Sequence, residues 1–309
     1  MNVLFVMDPI AGIDPSGDTT SALMEAAEAA GNQLWITELH LLEADPAPRA
    51  LARRVEVSPW FTTEAPERVA VNAMDAVFIR TDPPFDERYL WAMHVLDLAD
   101  RRRTLFINDP AGIRLANEKL YALRFPDLIP PTLISADKDA IAGFVAEHHA
   151  AVLKPLDGHA GRGVLRLQQG DANLPSIVEL QTRHGKRPAV VQAFVNATSG
   201  NRRIFMVDGE PLAVVNRLPV PDDFRTGDVV EVLDLSPEES RLCDHVGPQL
   251  IRDGLRLVGL DVIEGRLIEI NVTSPGGLRQ LERLSQRSFA SSIVARLLSP
   301  SPQRLEVLA

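Results

Sequence analysis

Asp261 stands on one apolar run, and Glu269 and Asn271 stand on the next, across the turn Glu264-Gly265-Arg266. Carboxylates and a side-chain amide gathered at a strand end are the hard oxygen donors that Mg²⁺ takes beside a nucleotide phosphate. Register decides whether they can act together. A two-residue hairpin at Glu264-Gly265 would set Asp261 opposite Ile268 and away from the face of Glu269. A three-residue loop through Arg266, or one bulge, pairs Asp261 with Glu269 and places Asn271 on that same face. The odd loop is the predicted form.

A second set begins at Lys154, which ends an apolar strand just before Pro155-Leu156-Asp157-Gly158-His159-Ala160-Gly161-Arg162-Gly163. Gly158, Gly161 and Gly163 would let backbone N–H groups approach phosphate oxygens while the lysine supplies a point charge. The spacing is neither a P-loop nor a dinucleotide fingerprint, and an ordinary hairpin fits it equally. His159 could reach a phosphate or face solvent. Lys119 and Arg203 are companion cations. Gln192-Ala193-Phe194-Val195 ends another strand, and either offers backbone groups to an adenine edge or is an edge strand entering a linker.

These residues need a scaffold of alternating elements. Strands at Val3–Met7, Gln33–Glu38, Ala76–Arg80 and Thr104–Asn108, with helices at Thr19–Ala30 and Glu87–Asp100, predict a parallel, doubly wound sheet over 1–118. Asp8, Arg80, Asp82 and Asp86 follow its strands, where open α/β sheets place ligands; surface turns built on Asp and Pro are the alternative. A smaller subdomain is expected over 119–195, with Ser135 capping a helix from Lys138 to His149. The remainder, 196–309, carries the acidic strand pair, a helix near Pro237–Gly254, a last helix ending near Leu298 and a frayed tail after Ser299.

Composition narrows the function class. With 309 residues, 45% hydrophobic and 24% charged, the chain suits two or three subdomains. No apolar run is long enough for a membrane span. The first residues, Met1–Asp8, read as a strand and not a leader, so a cytoplasmic protein is expected. A net charge of −10 argues against coating nucleic acid and points to small-molecule partners. The one cysteine, Cys243, excludes an internal disulfide and lies in a helical pattern with nothing to activate its thiol.

Taken in order, Asn117-Glu118-Lys119, Leu153-Lys154-Pro155-Leu156-Asp157-Gly158, Arg203-Ile204-Phe205-Met206-Val207-Asp208-Gly209-Glu210-Pro211, Gly259-Leu260-Asp261 and Glu269-Ile270-Asn271-Val272-Thr273-Ser274-Pro275 resemble the ATP-grasp ligases of the bacterial glutathione synthetase type. Val6-Met7-Asp8-Pro9 and Arg80-Thr81-Asp82-Pro83-Pro84 resemble that family's amino-terminal domain, so the likeness runs from Met1 to about Arg296. It implies an ATP-grasp fold behind an N-terminal doubly wound domain. It implies Lys119 and Lys154 on ATP phosphates, Gln192 to Val195 on the adenine, and two Mg²⁺ ions on Asp261, Glu269 and Asn271. The implied reaction phosphorylates an acid to an acyl phosphate that an amine attacks, with Arg203, Arg217 and Arg225 as electrostatic and acid-binding arginines. A homo-oligomer acting on an acid and an amino acid is also implied.

The chain departs from that pattern between Arg217 and Val229, where a longer glycine-rich cover is expected and Pro219 to Asp228 stands instead. A shorter cover alters water exclusion around an acyl phosphate. Ser274, Gly276 and Gly277, with Arg279, form a turn suited to an amino acid's carboxylate, and Asn201 stands where an acidic residue is expected. The leading expectation is therefore a glutathione synthetase-type ligase. A ligase with another acid or amine comes second, and a degenerate nucleotide-binding regulator third.

Overall fold

The computed structural model describes residues 1–58, 61–158, 161–219, 223–225 and 227–299. The expectations for His159 and for the tail beyond Ser299 lie outside those residues. In chain order the first region holds β1 (Asn2–Val6), α1 (Thr19–Ala29), β2 (Gln33–Thr37), β3 (Leu42–Asp45), β4 (Ala47–Glu56), β5 (Thr62–Thr63), β6 (Glu67–Ala70), β7 (Ala76–Ile79), α2 (Glu87–Asp97), β8 (Leu105–Ile107) and α3 (Pro110–Leu115). Its sheet runs β3-β4-β2-β1-β7-β8, with β5 and β6 also paired to β4. Strands β2, β1, β7 and β8 are parallel, as expected, and β1 and β7 are apolar and buried along their full length after Asn2.

The expectation of a wholly parallel sheet is corrected by β3 to β6, an antiparallel meander on its edge. In β4 the inward residues include Pro48, Ala50 and Ala52 between exposed Arg49 and Arg53, too small an apolar signal to read as a strand. β1 leads through α1 to β2 on one side, and β7 through α2 to β8 on the other. The crevice between β1 and β7 is thus the switch point where such sheets bind ligands. Across it the Asp82 N–H donates to Asp8 Oδ2 at 2.9 Å. Asp86 is not a crevice residue: its side chain caps α2 by accepting from the Tyr89 N–H, and it pairs with Arg88.

The second region holds β9 (Thr132–Ser135), α4 (Lys138–His148), β10 (Ala150–Pro155), β11 (Leu165–Gln168), α5 (Leu174–Gln181) and β12 (Ala189–Ala193). Its antiparallel sheet, β11-β10-β12-β9, encloses its own core of Ile141, Val145, Leu153, Leu167 and Val191. The cap of α4 is Asp137, which accepts from the Ala140 N–H at 2.7 Å, while Ser135 only steadies Asp137. An ionised carboxylate one residue from the helix suits the N-terminal dipole better than a hydroxyl three residues away.

The third region holds β13 (Asn201–Val207), β14 (Glu210–Arg217), β15 (Val229–Leu233), α6 (Pro237–Arg252), β16 (Leu257–Ile263), β17 (Arg266–Asn271), α7 (Leu278–Ser285) and α8 (Phe289–Leu298). Its antiparallel sheet runs β15-β14-β13-β16-β17. Ser236 and Glu239 start α6 with reciprocal capping bonds. Tyr121, Phe125 and Ile129 pack into the core of this sheet beside Leu242, Leu260 and Ile270. The stretch from Lys119 to Ile129 therefore belongs with the third region and not, as expected, with the small subdomain. Leu278, Leu281, Ile293 and Leu297 share a core with Val3, Phe5, Leu23 and Phe205, so α7 and α8 join the N-terminal sheet to the C-terminal one. Among the described residues no helix is long and apolar enough to cross a membrane.

Buried Asn108 fastens the two larger regions together. Its Nδ2 donates to the carbonyls of Leu257 (2.8 Å) and Val272 (2.7 Å), and its Oδ1 accepts from the N–H groups of Arg256 and Leu257, both at 2.7 Å. Close packing also fixes α6 on its sheet: a Cβ at Gly247 would lie 2.1 Å from the Gly209 carbonyl oxygen in the β13–β14 turn. We expect Gly247→Ala to lower stability by about 1–3 kcal/mol despite alanine's better helix propensity. Denaturant unfolding with an unchanged or raised midpoint would refute this account of the helix–sheet contact.

Candidate active site

The sheet register brings the acidic residues together. Asp261 pairs with Glu269, and Gly259 with Asn271, so all three oxygen donors share one face. The device is not the expected odd loop. Glu264 and Gly265, both with positive φ, make a two-residue turn closed by Ile263 and Arg266. A register shift between Asp261 and Val262, whose partners are Glu269 and Leu267, leaves Ile268 as the bulged residue. The bulge restores the parity that the even turn takes away.

Asp261 is 6% exposed and is the centre of the charge cluster. Arg203, its cross-strand neighbour on β13, donates Nε to Oδ1 at 2.8 Å and Nη2 to Oδ2 at 2.9 Å. Arg217 on β14 adds Nη2 to Oδ1 at 2.8 Å. Burial alone would raise the Asp261 pKa, but Arg203 and then Arg217 hold the carboxyl well below the usual carboxylate range. Arg217 also donates to Asn201 Oδ1 at 3.0 Å, so the amide found in place of an acid serves as an acceptor for an arginine.

Lys119 lies 3.4 Å from Glu269 Oε1 and donates to the Gly158 carbonyl. Lys154, on β10, donates to Gln192 Oε1 at 3.0 Å, and Gln192 Nε2 donates to Thr132 Oγ1 at 3.1 Å. Burial pushes the Lys154 ammonium pKa down, with the nearby Glu269 opposing it. The glycines of the turn are sterically required. A Cβ at Gly158 would lie 2.5 Å from Pro155 Cγ, and Gly161 and Gly163 both adopt φ of +70°.

These groups line one cavity of about 870 Å³ between the small sheet and the C-terminal sheet. Lys119, Lys154, Gly158, Gly161, Gln192 to Val195, Arg203, Arg217, Arg225, Asp261, Glu269, Asn271, Asp82 and Ser274 are all in its wall. Of the strand that was expected to read a base, the Ala193 and Phe194 N–H groups are taken by the carbonyls of Pro131 (2.9 Å) and Ala150 (3.0 Å). Val195 N–H is the first beyond the sheet, among the described residues, without such a partner.

Other expected residues stand elsewhere. Arg279 is held by Glu25 (2.5 Å) and Ser21 on α1, outside the cavity wall. Arg80 is buried, donating to Thr20 Oγ1 (3.1 Å) and the Pro275 carbonyl (3.2 Å), so it braces the turn after β17. Gly276 gives its carbonyl to Arg203 Nη1 at 3.2 Å, and Gly277, at φ of +106°, starts α7. Asp8 faces a separate cavity of about 230 Å³ with Ile36, Thr37 and Arg53. Arg225 reaches the cavity mouth but is bound by its neighbour Asp223 at 2.5–3.0 Å.

Glu118 was missed, although it immediately precedes Lys119. Its Oε1 accepts from the Val272 N–H (3.0 Å), the Thr273 N–H (3.2 Å) and Thr273 Oγ1 (2.8 Å), fixing the end of β17. Burial, then the charge of Glu269, raises its pKa. Arg166 and Phe224, also in the wall, gave no signal beyond their residue type. Cys243 is buried and its thiol is pushed up to about 12 by burial and then by Glu239, which makes it inert.

The donors suit a hard divalent cation. Asn271 Nδ2 donates to the Gly259 carbonyl at 3.1 Å, which leaves its side-chain oxygen as the acceptor beside Glu269. Glu118 and Glu269 repel one another, a strain that a cation would relieve. Among the described residues no three His, Cys, Asp or Glu side chains gather around one point, so ligand oxygens would have to complete the shell.

The chain is similar to known proteins over nearly its whole length. Residues 1–114 match the prokaryotic glutathione synthetase N-terminal domain, and residues 118–286 match the prokaryotic glutathione synthetase ATP-grasp domain. The glutathione synthetase of Nostoc sp. is 44% identical over 95% of the chain and 97% of that relative, and that of Bradyrhizobium diazoefficiens is 42% identical over 95% and 96%. Among solved structures, the D-cycloserine synthetase DcsG superposes with a TM-score of 0.69 at 17% identity, covering 96% of this chain and 98% of that one. The RimK domain ATP-grasp protein of Sphaerobacter thermophilus gives 0.64 at 18% identity, covering 97% and 100%. These distant likenesses concern the fold.

The buried ion cluster has a direct test. Asp261→Asn leaves two buried guanidinium groups without their counter-charge, and we expect it to cost about 3–5 kcal/mol of stability. A denaturation midpoint that corresponds to less than about 1 kcal/mol lost would show that solvent, and not Asp261, compensates the arginines.

Proposed function

The chain belongs to the prokaryotic glutathione synthetase family, and on that premise we propose how its residues divide the work of an ATP-dependent ligase that makes glutathione. In this reading ATP phosphorylates the glycine-ward cysteinyl carboxylate of γ-glutamylcysteine to an acyl phosphate. The amine of glycine then attacks, giving the amide, ADP and phosphate. The supporting observation is the meeting of Lys119, Lys154, Arg203 and Arg217 with Asp261, Glu269 and Asn271 in one cavity.

Lys119 and Lys154 bind phosphate oxygens, one from each wall, with the glycine turn offering backbone N–H groups. Gln192 holds Lys154 in place, and Phe194 and Val195 meet the base. Arg203 and Arg217 face the negative charge that builds on the phosphoryl group and then on the tetrahedral centre. Asp261, Glu269 and Asn271 hold Mg²⁺, two ions in this reading, which supplies Lewis-acid neutralisation of the phosphates when bound. Asp82 and Ser274 lie on the side where the acid and amine meet, with Arg80, Gly276 and Gly277 supporting that turn, and a homo-oligomer acting in the cytoplasm completes the proposal. The short stretch between Arg217 and Val229 favours one second reading: the same chemistry with another acid or amine.

The test is phosphate release together with product mass. With ATP, Mg²⁺, γ-glutamylcysteine and glycine we expect glutathione and ADP, with each omission abolishing turnover and chelation of the metal doing the same. Turnover restricted to another acid–amine pair would select the second reading. Glu269→Gln should lose about 10²–10³-fold in kcat, the scale of one lost transition-state contact, with an unchanged circular dichroism spectrum. Near-normal kcat in that variant would remove the metal assignment.

A further inference from the structure

The stretch that replaces the expected glycine-rich cover carries an aromatic ring between two charges, Asp223-Phe224-Arg225. Phe224 is 38% exposed, and such a ring on a polar loop gains only where it meets other apolar surface. It meets Phe194, with ring centroids 6.3 Å apart and planes at 67°. The Arg166 guanidinium lies 4.2 Å from the centroid of that same Phe194 ring. The next residue, Arg225, lays its stem against Gly161, where an added Cβ would be 3.6 Å from the Arg225 Cβ, and its Nη1 donates to the Gly161 carbonyl at 3.4 Å. Asp223 binds the Arg225 head, so that charge anchors the loop and is not spent on a ligand.

We propose that Phe224 is a base-binding residue: with Phe194 and Arg166 it forms an aromatic and cationic pocket for the purine of the nucleoside triphosphate. Base faces stack on aromatic rings and on guanidinium planes, and both are present here in the wall of the cavity. The short loop then does for the base what it is too short to do for the acid. This rests on the nucleotide-site reading above and adds a residue to it.

The experiment compares a non-hydrolysable ATP analogue with inorganic tripolyphosphate, each with Mg²⁺, by titration calorimetry. Tripolyphosphate carries the phosphates and lacks the base. We expect Phe224→Ala to weaken the nucleotide about tenfold and leave tripolyphosphate within about twofold, with Phe224→Trp restoring nucleotide affinity. Equal weakening of both ligands, or of neither, overturns the proposal, because a loop that merely shapes the phosphate site acts on both alike. Failure of the unmodified protein to bind either ligand would instead overturn the nucleotide site itself.

Discussion

One buried carboxylate orders the centre of this protein. Asp261 takes three short hydrogen bonds from Arg203 and Arg217, and each partner comes from a different strand of the same sheet. Charges removed from water must be matched in place, so the β14-β13-β16 order and its register are constrained by this cluster as much as by apolar packing. The bulge at Ile268 belongs to the same constraint. Without it Glu269 would leave the face on which Asp261, Asn271 and both arginines meet.

The cluster is held from behind by polar groups that are themselves fully engaged. Asn108 and Glu118 arrive from the N-terminal side and bond the backbone at the open end of the β16–β17 pair, opposite its turn, at Leu257 and at Val272 to Thr273. Buried networks of this kind are costly when half satisfied and rigid when complete. The small sheet is joined to this frame more sparingly, by Lys119 to the Gly158 carbonyl and by Asn117 to the Leu156 carbonyl at 3.3 Å. Lys119 thus belongs to the frame and Lys154 to the small sheet, so the proposed phosphate site is assembled only where the two bodies meet.

What the sequence revealed follows the strength of local signals. Asp261, Glu269 and Asn271 were legible because acids on apolar strands are conspicuous, and their common face followed from counting residues. The means was less legible, since a turn and a bulge can exchange parity without changing any residue type. The meander β3 to β6 was missed because Ala50 and Ala52 carry little apolar weight between arginines. Residues 119–129 were assigned to the wrong body because adjacency in the chain says nothing of which sheet Tyr121 and Phe125 will cover. Arg279 looked free in the sequence, but Glu25, 254 residues away, holds it. A long-range partner of this kind leaves no local trace.

The C-terminal sheet also carries a local cost in stability. Arg217 Nε and Asn216 Oδ1 are buried and have no hydrogen-bond partner, on neighbouring residues of β14, from which Arg217 reaches past β13 to Asp261 on β16. An unmade bond at a charged donor costs more than a made one contributes, so the arrangement is not the best one for stability. On the proposed reading the cations in the cavity wall, Lys119, Lys154, Arg203 and Arg217, suit a ligand that brings oxygen atoms and negative charge. Burial lowers the Lys154 pKa while Glu269 opposes it, and burial and then the charge of Glu269 raise the Glu118 pKa. In that reading a bound metal ion would offset the repulsion of the two glutamates, and a phosphate would pair with the lysine. The stability lost in burying these charges would, on the same reading, be recovered at the reacting phosphate, where it favours one chemistry over others.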